Sequence, residues 1–297
     1  FGDVILALGP MKAIRLAHPE GRITLLTTKP YAGLLEQSGL FDEIWIDERP
    51  KAWQFGKVRD MRRRLNAEGF ERVYDLQTSD RSSSYFRLFD RPRPLWSGIA
   101  PGCALPHANP QRDHMHTLER QAEQLAMAGI TRVPAPDLGF LKADLSGFDL
   151  PGRFGLLVPG GAAHRPGKRW PAAKYAETAG LLADQGIVPM LIGTTAEAGA
   201  IDAVVAAEPR AVSLQGRTSF AEIASLARRA AIAVGNDTGP MHLIAAVGCP
   251  SLSLFSKESD PQLTRPRGPR ASWVRSDRLA DLSVGEVATA IRRLLET

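Results

Sequence analysis

The segment Gly235–His242 reads GNDTGPMH and lies between a β-rich run, AIAV, and an apolar helical pattern. Asp237 and Thr238 are residue types that cap helices, and Gly239 lets another group approach the backbone closely. Because the first amides of a helix are unpaired and carry the positive end of the helix dipole, such a junction can bind an anion. An ordinary strand–cap–helix junction with a packed His242 is the alternative interpretation.

A second loop, Pro159–Pro171 (PGGAAHRPGKRWP), also follows a β-rich run and precedes a helical pattern. Gly160 and Gly161 permit close backbone contact with a ligand, while Lys168 and Arg169 add positive charge. The loop is not a P-loop, since that motif needs Ser or Thr after the lysine and Arg169 stands there. Its residue types favour phosphate binding. The alternative is a solvated surface loop.

Two carboxylates could act on hydroxyl groups. Asp3 begins a long amphipathic pattern, where it could take a proton from a hydroxyl as a general base or could be a helix N-cap. Glu197 ends the segment Gly193–Glu197 (GTTAE) after another β-rich run. It could bind a ribose hydroxyl or could only complement the dipole of the following helix.

The remaining polar motifs bear on whether the protein binds a metal ion or an anionic surface. Arg62–Arg64 lies on a charged helical face that is either solvated or attracts a phosphorylated acceptor or anionic lipid. His114 and His116 have no Cys or carboxylate neighbour to complete a metal site, and the chain contains no Asp-x-Asp motif. We therefore expect no metal. The charge of a leaving group would then be met by Lys168, Arg169 and helix-terminal amides.

Short β-rich runs alternate with helical patterns along the chain, which is typical of βαβ units and parallel sheets. Predicted strands cover Arg22–Thr28, Glu43–Asp47, Arg72–Gln77, Pro94–Gly98, Phe154–Val158, Val188–Gly193, Ala211–Leu214, Ala231–Gly235 and Ser251–Phe255. Predicted helices cover Val4–Ala17, Ala32–Gln37, Val58–Asn66, Ser82–Phe89, His114–Ala128, Ala172–Gln185, Glu197–Ala207, Phe220–Arg229, Pro240–Val247 and Val284–Leu295. Ligands of such sheets bind beyond the carboxyl ends of the strands, which is where the loops above lie.

The length of 297 residues is typical of two domains of roughly 150 residues each. The weakly patterned stretch Pro134–Gly152 is the predicted linker. We therefore predict an α/β protein of two doubly wound, parallel-sheet domains that face a cleft, with bounds 1–148 and 149–297.

The composition excludes several classes of protein. Two cysteines, Cys103 and Cys249, are too few for a disulfide scaffold, and no apolar run approaches the ~18 residues that span a bilayer. The net charge of +5 divides into 20 basic against 19 acidic residues up to position 150 and 17 against 13 beyond it. We interpret this as a thin, dispersed excess. It favours an anionic ligand or membrane face over nucleic acid.

Taken together, the motifs resemble the heptosyltransferases, glycosyltransferase family 9, along nearly the whole chain. The matching segments are GDVIL at 2–6, Pro159-Gly160, KRWP at 168–171, Gly193…Glu197, LQGRTS at 214–219 and GNDTGPMH at 235–242. The resemblance implies a GT-B fold of two Rossmann-like domains, with the acceptor bound by 1–148 and the nucleotide-sugar donor by 149–297. A strand that precedes Phe1 in the family is expected to be missing here.

The reaction that the resemblance implies is transfer of heptose from ADP-heptose to a lipid-linked, phosphorylated inner-core glycan of lipopolysaccharide, with inversion and without metal or cofactor. Its place is the cytoplasmic face of the inner membrane, where the protein would be peripheral on an anionic surface. No nucleic-acid partner is expected. A nucleotide-sugar hydrolase or epimerase of the same fold, or a non-catalytic nucleotide-sugar-binding module, are the alternatives.

The resemblance also implies roles for individual residues. Asp3 corresponds to the general base, and Lys168 to the catalytic lysine that meets the donor phosphates. The expected donor-binding set is Gly160, Gly161, Lys168, Arg169, Gly193, Glu197, Thr218, Asp237, Thr238, Gly239 and His242. Within it, the amides of Thr238 and Gly239 hold the diphosphate, Asp237 and His242 line the sugar, Glu197 meets the ribose and Thr218 lies near the base.

Overall fold

A computed structural model of the chain describes residues 1–161 and 165–296. It divides into two compact units, of which the first is Ala7–Pro136. The second unit joins Phe1–Leu6 to Asp137–Thr297. The chain therefore passes between the units twice, once within its first helix and once inside the predicted linker Pro134–Gly152.

The first unit contains five short parallel strands in two sheets. Its elements are α1 (Gly2–Ala17, which begins in the second unit), β1 (Thr24–Thr27), α2 (Lys29–Glu36), β2 (Glu43–Ile46), α3 (Phe55–Ala67), β3 (Arg72–Tyr74), α4 (Asp80–Ser84), β4 (Leu95–Gly98), β5 (Leu105–Pro106) and α5 (Thr117–Met127). Strands β1 and β2 form one sheet, and β3, β4 and β5 form the other in that order. Aromatic side chains fill much of the core, among them Trp45, Phe86, Phe89 and Trp96.

The second unit is built on one six-stranded parallel sheet. Its elements are β6 (Phe154–Val158), α6 (Ala172–Ala183), β7 (Val188–Leu191), α7 (Ala198–Ala207), β8 (Val212–Ser213), α8 (Phe220–Arg229), β9 (Ile232–Asn236), α9 (Gly239–Ala246), β10 (Ser251–Phe255), α10 (Pro261–Thr264), β11 (Ala271–Arg275) and α11 (Val284–Glu296). The strand order is β8-β7-β6-β9-β10-β11. This is the order of a doubly wound Rossmann sheet.

The pattern of the sequence predicts most of these elements because the central strands are buried. Every residue of β6, β9 and β10 is buried. Strand β6 (FGLLV) is therefore a continuous apolar run, β9 (IAVGN) is apolar up to its last residue, and β10 (SLSLF) alternates small Ser with Leu. The predicted strands Phe154–Val158 and Ser251–Phe255 and the predicted helix Phe220–Arg229 are confirmed to the residue. In the described residues, no helix is both long and apolar enough to cross a bilayer.

Three elements were not predicted, and the helices predicted at Ser82–Phe89 and His114–Ala128 are both too long. Edge strand β11 reads ASWVR and is half-buried, so it has no continuous apolar run; β5 and α10 are too short to show a period. The predicted helix Ser82–Phe89 is wrong in extent, because α4 ends at Ser84 and a 3₁₀ turn, Tyr85–Leu88, follows.

Asn236, the last residue of β9, joins the segments around the carboxyl ends of the two central strands. Its Nδ2 donates to the carbonyls of Pro159 (2.8 Å) and Gly160 (2.9 Å). Its Oδ1 accepts from the amide of Trp170 (3.1 Å) and the hydroxyl of Tyr175 (3.0 Å). Burial raises the pKa of Tyr175 well above its ordinary value, which keeps that hydroxyl protonated as a donor.

Gly235, one residue earlier, allows α9 to pack directly against the sheet. A Cβ atom at this position would lie 2.7 Å from both Cβ of Val158 and Sδ of Met241. Real Cβ atoms do not approach that closely, so any other residue would push β6 or α9 away. The glycine thus brings the beginning of α9 against the end of β6.

Substitution Asn236→Ala is expected to destabilise the protein by about 2–4 kcal/mol, because it leaves several buried polar groups without partners. Chemical denaturation of the purified protein measures this. Gln185→Ala, an exposed amide at the end of α6, is the matched control and should change stability by less than about 0.5 kcal/mol. Equal effects of the two substitutions would contradict the role assigned to Asn236.

Candidate functional site

The strand order places the two principal motifs next to each other. β6 and β9 are neighbours, and the direction of strand succession reverses between them. Ligands of doubly wound sheets bind at such a reversal, beyond the carboxyl ends of the strands. The loop Pro159–Pro171 leaves β6 at this edge, and the segment Asp237–Thr238 leaves β9 at the same edge.

The amino terminus of α9 presents unpaired backbone amides. Thr238 occupies the N-cap position, as predicted, and the helix begins at Gly239. The amides of these two residues have no acceptor in the part of the chain that the structure describes, and neither does the buried Oγ1 of Thr238. Together with the helix dipole, these donors form a site for an anionic oxygen.

Asp237 does not cap the helix, so that part of the prediction is wrong. Its Oδ2 instead accepts from Nζ of Lys168 (2.7 Å) and from Oγ of Ser259 (2.7 Å). The side chains of Lys168 and Asp237 are only 12% and 9% exposed. The positive charge is therefore fixed beside the helix terminus, and Asp237 is already engaged.

Ser259 is a site residue that the motifs did not reveal. It lies in the loop after β10, the strand next to β9, and therefore at the same edge of the sheet. Glu258 from this loop packs against the segment that carries Lys168, since a Cβ at Gly167 would lie 2.2 Å from its Oε1. Inspection of every loop at this edge, rather than of glycine-rich motifs alone, would have found both residues.

The side chain of Arg169 folds back onto the loop after β6 and hydrogen-bonds to its backbone. Its Nε and Nη2 donate to the carbonyl of Gly161 at 3.1 and 2.6 Å. Gly160, one residue earlier, is buried, and its carbonyl is held by Asn236. The part of the predicted loop at positions 162–164 lies outside the described residues.

Glu197 forms a capping box with Thr194 at the turn before α7. Its Oε2 accepts from the amide (2.8 Å) and hydroxyl (2.7 Å) of Thr194, which completes a capping box. The side chain also lies over the loop after β6, because a Cβ at Gly160 would be 3.0 Å from its Cγ. Gly193 precedes this turn, and half-buried Thr218 precedes the N-cap of α8. The ribose and base roles of these residues stay predictions.

The start of α1 packs against the start of α9 within the second unit. A Cβ at Gly239 would lie 2.7 Å from the ring of Phe1, and a Cβ at Gly2 would lie 2.6 Å from the ring of His242. Asp3 is the next residue, exposed in the first turn of α1 rather than at its N-cap. The structure therefore brings an exposed carboxylate into the neighbourhood of the α9 terminus.

These residues together can bind a doubly charged anion and hold a carboxylate near it. The donors are the Lys168 ammonium and the α9 amides, and the carboxylate is Asp3. In the described part of the chain, no group of three or more His, Cys, Asp or Glu side chains is placed to share a metal ion. His116, part of the HxH pair, instead caps α5 by accepting from the amide of Leu118.

Solved structures of similar fold cover almost the whole chain. A glycosyltransferase family 9 protein from Veillonella parvula aligns with a TM-score of 0.83 and 20% identity, over 99% of this chain and 94% of that one. The Escherichia coli ADP-heptose lipopolysaccharide heptosyltransferase II aligns with a TM-score of 0.77 and 22% identity, over 99% and 96%. At these identities the likeness establishes the fold, a GT-B arrangement of Rossmann-like units.

Sequence comparison gives the family. Lipooligosaccharide heptosyltransferase 2 of Haemophilus influenzae is 34% identical over 120 residues, which is 39% of this chain and only 34% of that relative. The matched segment thus spans about a third of the curated relative. The model of glycosyltransferase family 9 (heptosyltransferase) matches residues 58–289, well over half of the chain. This protein therefore belongs to glycosyltransferase family 9, the heptosyltransferases.

Proposed function

We propose that the protein transfers heptose from ADP-heptose to an inner-core acceptor of lipopolysaccharide. The observation that carries the proposal is the Lys168 ammonium held beside the unpaired amides of Thr238 and Gly239, at the reversal of strand order. This is a site for a diphosphate. Family membership and the ADP-heptose enzyme of similar fold support the choice of donor.

The donor diphosphate would exchange partners with Asp237. Lys168 would turn its ammonium to the phosphate oxygens while the amides of Thr238 and Gly239 donate to them. Asp237 would then retain the hydrogen bond from Ser259, so its carboxylate would not be left without a donor. The exchange lets the site keep its cation in position before the donor arrives.

The rest of the donor would extend along the same edge of the sheet. Glu197 has engaged only Oε2 among the described residues, so Oε1 is available to a ribose hydroxyl. Thr218 would approach the base through its backbone, and His242 would line the sugar. Arg169 would act from its position on Gly161, as a fixed charge near the phosphates.

The reaction itself would be a single displacement. Asp3 takes the proton of the acceptor hydroxyl while that oxygen attacks the anomeric carbon from the face opposite to the diphosphate. The bond from the anomeric carbon to the diphosphate oxygen breaks, and ADP departs with the electron pair. Lys168 and the α9 amides stabilise its charge. One displacement at one carbon inverts its configuration.

The remaining parts of the proposal concern partners and place. Residues 149–297 would hold the donor and residues 1–148 the lipid-linked, phosphorylated acceptor, and no metal or cofactor would be needed. The absence of an Asp-x-Asp motif from the sequence supports the metal-free reaction. The protein would work at the cytoplasmic face of the inner membrane as a peripheral protein.

Incubation of the protein with ADP-heptose and heptose-deficient lipopolysaccharide is expected to give a heptosylated product of inverted configuration, with equal rates in EDTA and in added Mg²⁺. Mass spectrometry and NMR of the product measure this. Release of free sugar without acceptor would favour the hydrolase alternative, and conversion of the sugar on the nucleotide would favour the epimerase. Donor binding with neither reaction would indicate a binding module.

Asp3→Asn is expected to lower kcat by ~10²–10⁴-fold, because the amide cannot accept the proton of the acceptor hydroxyl. The affinity for ADP should be almost unchanged, since the side chain does not meet the phosphates. Steady-state kinetics and calorimetry measure the two quantities. Asp202→Asn, an exposed carboxylate on α7, is the control and should leave both unaltered. Normal turnover in Asp3→Asn would exclude Asp3 as the base.

Lys168→Ala is expected to weaken ADP binding by roughly 10- to 100-fold, the value of a charge-assisted hydrogen bond. Because the change also leaves Asp237 without its cation, the double variant Lys168→Ala/Asp237→Asn separates the lost cation from the unpaired carboxylate. Lys142→Ala, an exposed lysine of the second unit, is the control. Unchanged ADP affinity in calorimetry would contradict the phosphate site.

A further inference from the structure

Two aromatic side chains are widely exposed at the start of α3 in the first unit. Trp53 is 68% exposed and Phe55 is 78% exposed, and all seven residues from 51 to 57 are exposed. Trp53 lies in a turn in which the amide of Gln54 donates to the carbonyl of Lys51 (2.8 Å). Large aromatic side chains are costly to leave in water, so a pair this close indicates a binding surface.

The same segment carries the net charge of the protein. Residues 48–64 contain seven basic residues against Glu48 and Asp60, a net charge of +5, which equals the net charge of the whole chain. The basic residues are Arg49, Lys51, Lys57, Arg59, Arg62, Arg63 and Arg64. The interpretation of the excess as dispersed is therefore wrong. Counting by halves of the chain averaged this cluster against acidic residues elsewhere.

Six of these seven cations either have no carboxylate partner among the described residues or are held only in exposed ion pairs, whereas the Arg64 guanidinium stacks on the Trp45 ring (3.8 Å). Lys57 pairs with Glu48 (2.8 Å), Arg63 with Asp60 (3.1 Å) and Arg62 with Asp90, but all six side chains are more than half exposed. Exposed ion pairs of this kind are weak and exchange partners readily. Arg59 has no carboxylate partner among the residues that the structure describes.

Helical spacing places an aromatic ring and cations on one stripe of α3. The helix buries Leu65 and half-buries Met61 against the unit. Phe55, Arg59 and Arg62 follow one another at intervals of four and three residues, so they share a stripe, and all three are exposed. Aromatic rings favour the interface of a bilayer, and neighbouring Lys and Arg side chains are attracted to its anionic headgroups.

We propose that residues 48–64 dock the protein on an anionic phospholipid bilayer. Trp53 and Phe55 would enter the interface between headgroups and acyl chains, and the surrounding cations would meet the headgroup phosphates. Lys51 fits this arrangement, because its Nζ lies 4.9 Å from the centre of the Trp53 ring and would be carried to the headgroups with it. The inference deepens the peripheral location in the proposed function, yet it needs neither donor nor acceptor.

Vesicle binding by the full chain tests the proposal. Sedimentation with vesicles of phosphatidylcholine, alone or mixed with phosphatidylglycerol, should show binding only to the mixed vesicles. The binding should weaken as salt is added, because salt screens exposed charges. Lipids with brominated acyl chains should quench the emission of Trp53, which is 68% exposed in this segment, whereas Trp45, Trp96 and Trp170 are buried and Trp273 is half-buried on β11 of the second unit.

Two double variants separate the aromatic and the ionic contributions. Trp53→Ser/Phe55→Ser should abolish quenching by brominated lipid and reduce vesicle binding by more than tenfold. Lys51→Gln/Arg59→Gln should weaken binding by about 25-fold, since each cation near an anionic surface contributes about fivefold. Neither pair belongs to the donor site, so both variants should bind ADP as the unmodified protein does.

The control is Leu16→Ser/Arg132→Gln, which changes an exposed leucine and an exposed arginine elsewhere in the first unit. It should bind vesicles normally. The proposal is overturned if the unmodified protein ignores anionic vesicles at low salt, or if the two test variants bind as tightly as the control. Binding only to vesicles that carry heptose-deficient lipopolysaccharide would assign the segment to the acceptor instead. These outcomes do not depend on the proposed function, because vesicle binding is measured without donor or acceptor. The test would therefore stand even if the protein showed no transferase activity.

Discussion

The side-chain amide of Asn236 is the constraint on which the rest of the donor-side site depends. Three segments of irregular backbone meet where β6 and β9 end. Such segments lack the regular backbone hydrogen bonds of a helix or sheet, so other groups must hold them in place. One buried amide supplies two donors and one acceptor oxygen, and all are used. The positions of Gly160 and of the segment that carries Lys168 follow from those bonds.

The ion pair of Lys168 and Asp237 adds a functional constraint to this frame. A nearly buried lysine without a counterion would be unstable, and a lysine in open solvent would sample many rotamers. Pairing with Asp237 removes both problems, and in the proposed reaction the donor diphosphate would have to displace the carboxylate from Lys168. Ser259 would lower the cost of this displacement, because Asp237 would keep the hydrogen bond that it accepts from the Ser259 hydroxyl.

Secondary structure could be predicted from the sequence where burial produces a regular pattern of apolar residues. The role of a side chain could not be predicted where its hydrogen-bond partner lies far away along the chain. The runs FGLLV and SLSLF are buried strands, and their bounds follow from the apolar continuity of the first and the two-residue alternation of small Ser with Leu in the second. Asp237 was misassigned as a cap because its neighbours along the chain fit that role, whereas Lys168 lies 69 positions away. Ser259 has no motif at all and becomes visible only through strand order.

The excess positive charge is concentrated in one surface segment rather than spread over a general basic surface. Since residues 48–64 hold a net charge equal to that of the chain, the other residues are neutral in sum. Any long-range attraction to an anionic surface would therefore act through one segment of the first unit. The cation of the proposed donor site is instead shielded, because Lys168 is 12% exposed and paired. Screening by salt thus weakens the surface segment far more than the phosphate site.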